Sequence, residues 1–217
     1  SVYGSYSFSR RINSTVQSSS TQQFFSGSSY LNDQQSDSRS TADNHRFFFN
    51  LEYQLDSFNY LKFSPVITYA GNVAEQENLF GLATVGGSKT SDGLTRVQSN
   101  TASPQLSGTL FYNHRFRKRG RNFSANLNLG RSTSDNDQET RNRTTRFVDP
   151  VGAFSQVQRI LQDNRGHQYG LRLTYSEPLG KTRSLDLAVS HQLNHTGNNR
   201  SAYQEDPLTG TLTFLPF

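Results

Sequence analysis

Residues 45–71 read HRFFFNLEYQLDSFNYLKFSPVITYAG. Two runs of alternating residues flank the turn DSFN, and the larger apolar side chains fall on one parity. Phe47, Phe49, Leu51, Tyr53 and Leu55 alternate with Phe48, Asn50, Glu52 and Gln54. After the turn, Leu61, Phe63, Pro65, Ile67 and Tyr69 alternate with Lys62, Ser64, Val66 and Thr68. Successive side chains of a strand point to opposite faces, so this stretch predicts a hairpin with one greasy face and one mostly polar face. The question it poses is whether the greasy face meets a protein core or lipid.

The same pattern recurs. In 106–129, LSGTLFYNHRFRKRGRNFSANLNL, the residues Leu106, Leu110, Tyr112 and Phe116 share a parity, and Phe123, Ala125, Leu127 and Leu129 follow the RKRG connection. In 167–193, HQYGLRLTYSEPLGKTRSLDLAVSHQL, the residues Tyr169, Leu171, Leu173 and Tyr175 precede EPLGKT, and Leu185, Leu187 and Val189 follow it. Val2, Tyr6 and Phe8 mark a further strand at the start, which brings the reading to about seven.

Composition favours lipid. Only 32% of the 217 residues are hydrophobic, and mean hydropathy is −0.74. A packed soluble core draws on about 45–50% apolar residues, glycine included. Disorder would suit such polarity, but the 16 Phe and 10 Tyr are clustered on alternating positions rather than scattered. No run approaches the ~18–20 apolar residues of a membrane helix, whereas a barrel crossing takes only ~9–11 residues with alternate ones apolar. The absence of Cys fits an oxidising route to an outer membrane. No signal peptide is visible, and SVYGSYSFS opens as though already inside a strand.

The expected connections are lopsided. One end of each hairpin closes within a few residues. The other ends read as polar loops over about 14–40, 72–104 and 131–164, lengths of roughly 25–35 residues against the ~12–15 that compact domains carry. Short periplasmic turns opposite long extracellular loops is the plan of an outer-membrane barrel. Aromatics near strand ends (Phe47, Tyr53, Phe63, Tyr69, Tyr112, Phe116, Phe123, Tyr175) would form its interfacial girdles. Pro65 lies on the lipid-facing parity and predicts a bulge or a local break in pairing.

Three stretches, YQLDSFNYLKFSPVITY, LFYNHRFRKRGRNFSANLNLG and LTYSEPLGKTRSLDLAVSHQ, resemble hairpins of the TonB-dependent-receptor-like outer-membrane β-barrel family of Gram-negative bacteria. The shared features are a Y-x-L-D turn before a P-x-I-x-Y strand, an RF-x-K-x-GR turn and a Y-x-E-P-L-G turn, in that order. The resemblance implies nutrient uptake across the outer membrane, driven by a TonB-type motor acting on a plug that lies outside these residues. No plug, TonB-contacting segment or upstream carboxypeptidase-regulatory-like domain is read in these 217 residues.

The expected fold is therefore all-β: residues 1–217 form part of one antiparallel transmembrane β-barrel domain, incomplete on its own. Seven strands leave two open edges, which hydrocarbon does not tolerate, so further strands or partner chains are required. The ending YQEDPLTGTLTFLPF reads as a loop cut short, with Pro207 and Pro216 interrupting it, rather than as an aromatic terminal signal at Phe217. Expected partners are outer-membrane lipid, the motor through the plug, and other barrel or lipoprotein subunits.

Candidate sites are sparse. Asp135, Asp137 and Glu139 have the alternate spacing of a calcium loop but lack its Gly and distal Glu, so a solvated loop is the favoured reading. Residues 149–164 carry a helical signature: Asp149 as N-cap, Pro150 as first residue, and Val151, Phe154, Val157 and Leu161 along a stripe. Arg115, Arg117, Lys118, Arg119 and Arg121 gather at a periplasmic turn, close to anionic headgroups. Arg46, Asn50, Glu52, Gln54, Lys62, Arg172, Thr174, Asp186 and Ser190 line the expected wet lumen. The net charge of +5 is spread over turns and loops, with no recognition module for nucleic acid. No nucleophile elbow and no H-E-x-x-H motif occur among the Ser and the five His at 45, 114, 167, 191 and 195. No catalytic, cofactor or metal residue is nominated, and the chain is read as a non-enzyme. Two further readings are a barrel that anchors secretion or surface-lipoprotein partners without transport, and a soluble β-rich adhesin whose greasy parity packs a second sheet.

Overall fold

A computed structural model describes residues 1–25, 28–148, 152–180, 182–206 and 209–216. Among them the chain is a single antiparallel meander: β1 (Val2–Phe25), β2 (Ser28–Gln54), β3 (Asn59–Thr84), β4 (Lys89–Arg115), β5 (Asn122–Arg146), β6 (Gly152–Pro178), β7 (Ser184–Glu205) and β8 (Leu212–Leu215). Each strand pairs with its neighbours in sequence, and the sheet is not closed. β8 is a short eighth strand beyond the seven expected, set against Ala202–Glu205 at the far end of β7. It follows a turn in which Asp206 N–H donates to the Thr211 carbonyl at 3.0 Å. The ending is thus a hairpin and a returning strand, not a truncated loop; Pro207 and Phe217 lie outside the described residues.

The strands are long. β2, β4 and β6 have 27 residues each, a length of about 90 Å at ~3.4 Å per residue. A membrane crossing needs only ~9–11. Where they are described, the segments expected as loops, 14–40, 72–104 and 131–164, are continuations of these strands, with a turn at 85–88 between β3 and β4. They hold together through the backbone ladder, whose register runs unbroken from Asp43↔Gly71 out to Tyr30↔Thr84. The expected helix over 149–164 is likewise replaced by strand. From Gly152 onward the chain pairs with β5, and from Val157 with β7 as well. That pairing puts Phe154 on one face and Val157 and Leu161 on the other; Asp149, Pro150 and Val151 lie outside the described residues.

Register aligns the greasy parity of every strand. Phe63 faces Leu110, Leu110 faces Leu127, and Leu127 faces Leu171. The next row joins Leu61, Tyr112, Ala125, Leu173 and Val189. Phe47, Tyr53, Ile67, Leu106, Leu187 and Leu193 are all more than half exposed. Among the described residues no second layer covers them, since strands contact only their sheet neighbours. A soluble adhesin sandwich would need a second sheet packed on this face. The apolar band spans about four or five outward positions per strand, which at the usual tilt gives the ~25 Å of a bilayer core.

Both outward prolines sit at local breaks in the ladder. Between Phe48↔Val66 and Leu51↔Phe63 the two intervening positions, which include Pro65, are unpaired while register is kept. The same happens at Pro104, between Ala102↔Asp135 and Gln105↔Ser132. Proline lacks the donor that would face the next strand. In each case an inward pair of side chains bridges the gap. The Ser64 hydroxyl donates to the Asn50 amide oxygen, and the Ser103 and Ser134 hydroxyls are 2.9 Å apart. Asn50, 0% exposed, also donates to Glu52 at 3.1 Å.

The long-strand architecture is checked by amide hydrogen exchange. Residues 72–84, 89–102 and 131–146 of the full-length protein should exchange orders of magnitude more slowly than unstructured peptide. Exchange at the coil rate would return them to loops.

Candidate functional site

Three turns lie just below the apolar band, and each is built by one of the sequence motifs. In Y-x-L-D the carboxylate of Asp56 accepts the N–H groups of Phe58 and Asn59, both at 2.7 Å, and the Asn59 side-chain amide at 2.7 and 2.9 Å. These donors, the Asn59 side chain foremost, hold the Asp56 carboxyl below its usual range. An Asp that satisfies the amides two and three residues on is an Asx turn.

The other two motifs grip each other. Glu177 of Y-x-E-P-L-G accepts from Arg121 Nε and Nη2 at 2.7 and 2.8 Å, from Lys118 Nζ at 2.6 Å and from the Tyr175 hydroxyl at 2.7 Å. Lys118 also reaches the Pro178 carbonyl at 2.8 Å. Gly120, at φ +85°, lies where an added Cβ would be 3.6 Å from Pro178. Arg121 foremost, then Lys118 and Tyr175, hold the Glu177 carboxyl far below the ordinary carboxylate range. The basic cluster expected to meet headgroups is therefore divided: Lys118 and Arg121 are spent on Glu177, leaving Arg115, Arg117 and Arg119.

The lumen-facing set keeps the placement read from sequence. Register joins Glu52, Lys62, Phe111, Asn126, Arg172 and Ser190 in one inward row, with Lys62 Nζ 3.3 Å from the Glu52 carboxylate. Gln54, Thr174 and Asn50 occupy adjacent inward rows, and Arg46 faces Thr68 higher up. Asp186 faces Ser176. Two inward aromatic pairs missed from sequence, Tyr3–Phe48 and Tyr60–Phe111, have ring centroids 6.3 Å apart. Phe48 and Phe111 interrupt the polar parity, and that irregularity was their only signal.

Above the band the two faces differ in charge. From Thr68 to Thr84 on β3, Gln105 to Ser91 on β4, Ser132 to Thr144 on β5 and Gly166 to Gly152 on β6, no inward position carries Asp, Glu, Lys or Arg. The same rows carry inward Arg11 on β1, Arg46 on β2, Arg146 at the end of β5 and Arg200 on β7. Amides and hydroxyls occupy most of them and bond to one another. Asn136 accepts from Ser99 and Thr101 at 2.8 and 3.0 Å, and the Gln138 amide donates to the Thr140 hydroxyl at 3.4 Å.

The outward face over the same height is charged and paired. Arg10 forks Asp43 at 2.6 and 2.7 Å, Arg96 meets Glu77 at 2.8 Å, and Arg165 meets Asp163 at 2.6 Å. Asp135, Asp137 and Glu139 stand on this face of β5, not on a loop. Arg159 forks Asp137 at 2.9 and 2.6 Å and keeps its carboxyl below the usual range. Arg141 binds Glu139. Among the described residues no cluster of three or more His, Asp or Glu has metal-binding geometry. His191 and His195 share the outward face of β7, opposite Leu171 and His167. His45 Nδ1 lies 2.9 Å from the Tyr6 hydroxyl, and His114 Nδ1 lies 2.7 Å from Asn59 Oδ1.

The Glu177 clamp makes stability depend on acid. Its proton binds more weakly in the folded than in the unfolded chain, so its stabilisation is complete above the ordinary carboxylate pKa of ~4.3 and declines as pH falls below it. Urea midpoints of the full-length protein and its Glu177→Gln variant in micelles should differ at pH 7 and draw together at pH 3. An equal gap at both would refute the clamp.

Residues 114–216 match the family described as "Outer membrane protein beta-barrel family". No curated protein matches the chain. Among solved structures, the siderophore receptor PiuA from Acinetobacter baumannii is similar over 94% of this chain and 46% of its own, at 9% identity and a TM-score of 0.15. The ferric-catecholate import receptor Fiu from E. coli K12 is similar over 94% of this chain and 46% of its own, at 8% identity and a TM-score of 0.16. The β-domain of the Bordetella autotransporter BrkA aligns over 93% of this chain and 98% of its own, at 10% identity and a TM-score of 0.14. The chain thus spans less than half of either receptor, and TM-scores this low carry no argument. The family match, the meander and the outward apolar band make this chain a section of an outer-membrane β-barrel, seated in the cell outer membrane.

Proposed function

We propose that this section is wall of a TonB-dependent-receptor-like uptake barrel, and that its inner face is the path of an uncharged, hydrogen-bonding nutrient. The observation that carries the reading is the separation of charge between the faces. The upper inner wall offers mainly Asn, Gln, Ser and Thr, while the carboxylates at the same height point outward. The charges on the inner face there, among the described residues, are the guanidiniums of Arg11, Arg46, Arg146 and Arg200. Neutral donors and acceptors exchange water for solute hydroxyls at small net cost. A wall of fixed charges would instead hold counter-ions and favour charged solutes. Lower down, Glu52, Lys62, Arg172 and Asp186 bring both signs of charge to the inner face. The drive for uptake comes from a plug and motor outside this section.

Uptake of labelled neutral oligosaccharides and of anionic chelates, by cells carrying the full-length protein, tests this. Energised uptake of the neutral class, lost when the motor is deleted, is expected. The paired change Ser99→Asp with Asn136→Asp should slow it several-fold at unchanged surface level. No uptake of either class, with or without the motor, would favour an anchoring barrel; preference for the anionic class would overturn the solute assignment.

A further inference from the structure

One outward row differs from the charged face around it. Arg131 on β5 faces His167 on β6, and His167 faces His195 on β7. Side chains directly opposite in an antiparallel ladder have Cβ atoms about 4.5–5.5 Å apart, so the row is about 10 Å wide. Arg131 and His195 are exposed and His167 is half-buried. Arg10, Arg96, Arg141, Arg159 and Arg165 each have a carboxylate partner. Arg131, His167 and His195 have none among the described residues.

The position of the row matters as much as its charge. The outward row beneath it is Leu129, Tyr169 and Leu193, exposed by 45%, 47% and 54%. These are the top of the apolar band on β5–β7. The row above holds Thr133, Arg165 and Gly197, with Arg165 bound to Asp163. The nearest outward carboxylates, Asp135 and Asp163, stand four residues further along their strands, about 14 Å at ~3.4 Å per residue. That is beyond the ~8–10 Å screening length of physiological salt. Three nitrogen-bearing side chains thus lie at the height where hydrocarbon gives way to headgroups, on the side where the wall rises far above the membrane.

We propose that Arg131, His167 and His195 form a phosphate site for the phosphorylated glycolipid of the outer leaflet, with its acyl chains lying along Leu129, Tyr169, Leu171 and Leu193. A guanidinium forks a phosphate through two parallel N–H bonds, and an imidazole donates an N–H in either protonation state. Leu129, Leu171 and Leu193 offer the chains an apolar bed, and the Tyr169 ring stands just below the headgroup level, where aromatics settle. The proposal concerns the outward face and is independent of what passes along the inner one.

Native mass spectrometry of the full-length protein in detergent tests it, with bisphosphorylated lipid A, dephosphorylated lipid A and phosphatidylglycerol as probes. The wild type should retain bisphosphorylated lipid A, and Arg131→Gln/His167→Gln/His195→Gln should retain at least fivefold less. The dephosphorylated form should bind both proteins equally weakly. Heat-modifiable migration checks that the variant is folded, and Arg131→Gln alone should show an intermediate loss if it is not. Equal retention of lipid A by wild type and variants would overturn the site. Phosphatidylglycerol retained as well as lipid A, and lost with the same substitutions, would overturn the assignment to the outer-leaflet glycolipid.

Discussion

Every backbone N–H and C=O that enters hydrocarbon must find a partner within the protein, and the ladder between neighbouring strands supplies it. The rest of the structure depends on that ladder. It fixes register, and register gathers scattered residues such as Phe63, Leu110, Leu127 and Leu171 into one continuous apolar row. A slip of one residue on any strand would turn its leucines inward and its serines toward lipid. The two places where proline removes a donor show how tightly the ladder is held: register survives both, and Asn50–Ser64 and Ser103–Ser134 cross the gaps with side chains.

The ladder also separates the chemistry of the faces. Because the side-chain period is two, a polar sequence can send its charges one way and its amides the other. Ion pairs at the surface contribute about 0–1 kcal/mol each, so the outward pairs such as Arg10–Asp43 add little to the stability of the wall. The turn motifs have a different task. Asp56 closes one hairpin, while Lys118, Gly120 and Arg121 lock a second to Glu177 and Pro178 of the third. They fix neighbouring hairpins side by side.

The membrane-embedded half of the chain was legible in its sequence, because lipid on one side and water on the other impose alternation. Phe49, Leu51, Ile67, Leu173 and Leu187 all take the face that alternation assigned them. Pro65 was legible for the same reason. Above the membrane both faces are wet, so Ser14, Gln76 or Gln138 carries no trace of the strand it belongs to, and such stretches read as loops. The false helix at 149–164 arose similarly, since Phe154, Val157 and Leu161 have helical spacing, yet Val157 is buried on the outward side of a pleated wall. The residues expected to line the lumen share one face of the sheet, as parity assigned them. The Glu177 clamp and the Arg131–His167–His195 row join residues from different strands, and only register reveals them.

β1 and most of β7 are open edges of a sheet that is not closed, and in hydrocarbon each orphan backbone group costs several kcal/mol. The central claim is the direction of the alternation itself. Nitroxide labels placed singly at Phe63, Leu127 and Leu173, and at their neighbours Lys62, Asn126 and Arg172, in the full-length protein in bilayers test it most directly. Relaxation by lipid-soluble oxygen should dominate at the first three, and relaxation by a water-soluble nickel chelate at the second three. The reverse pattern, or equal access of both reagents at all six, would contradict the account.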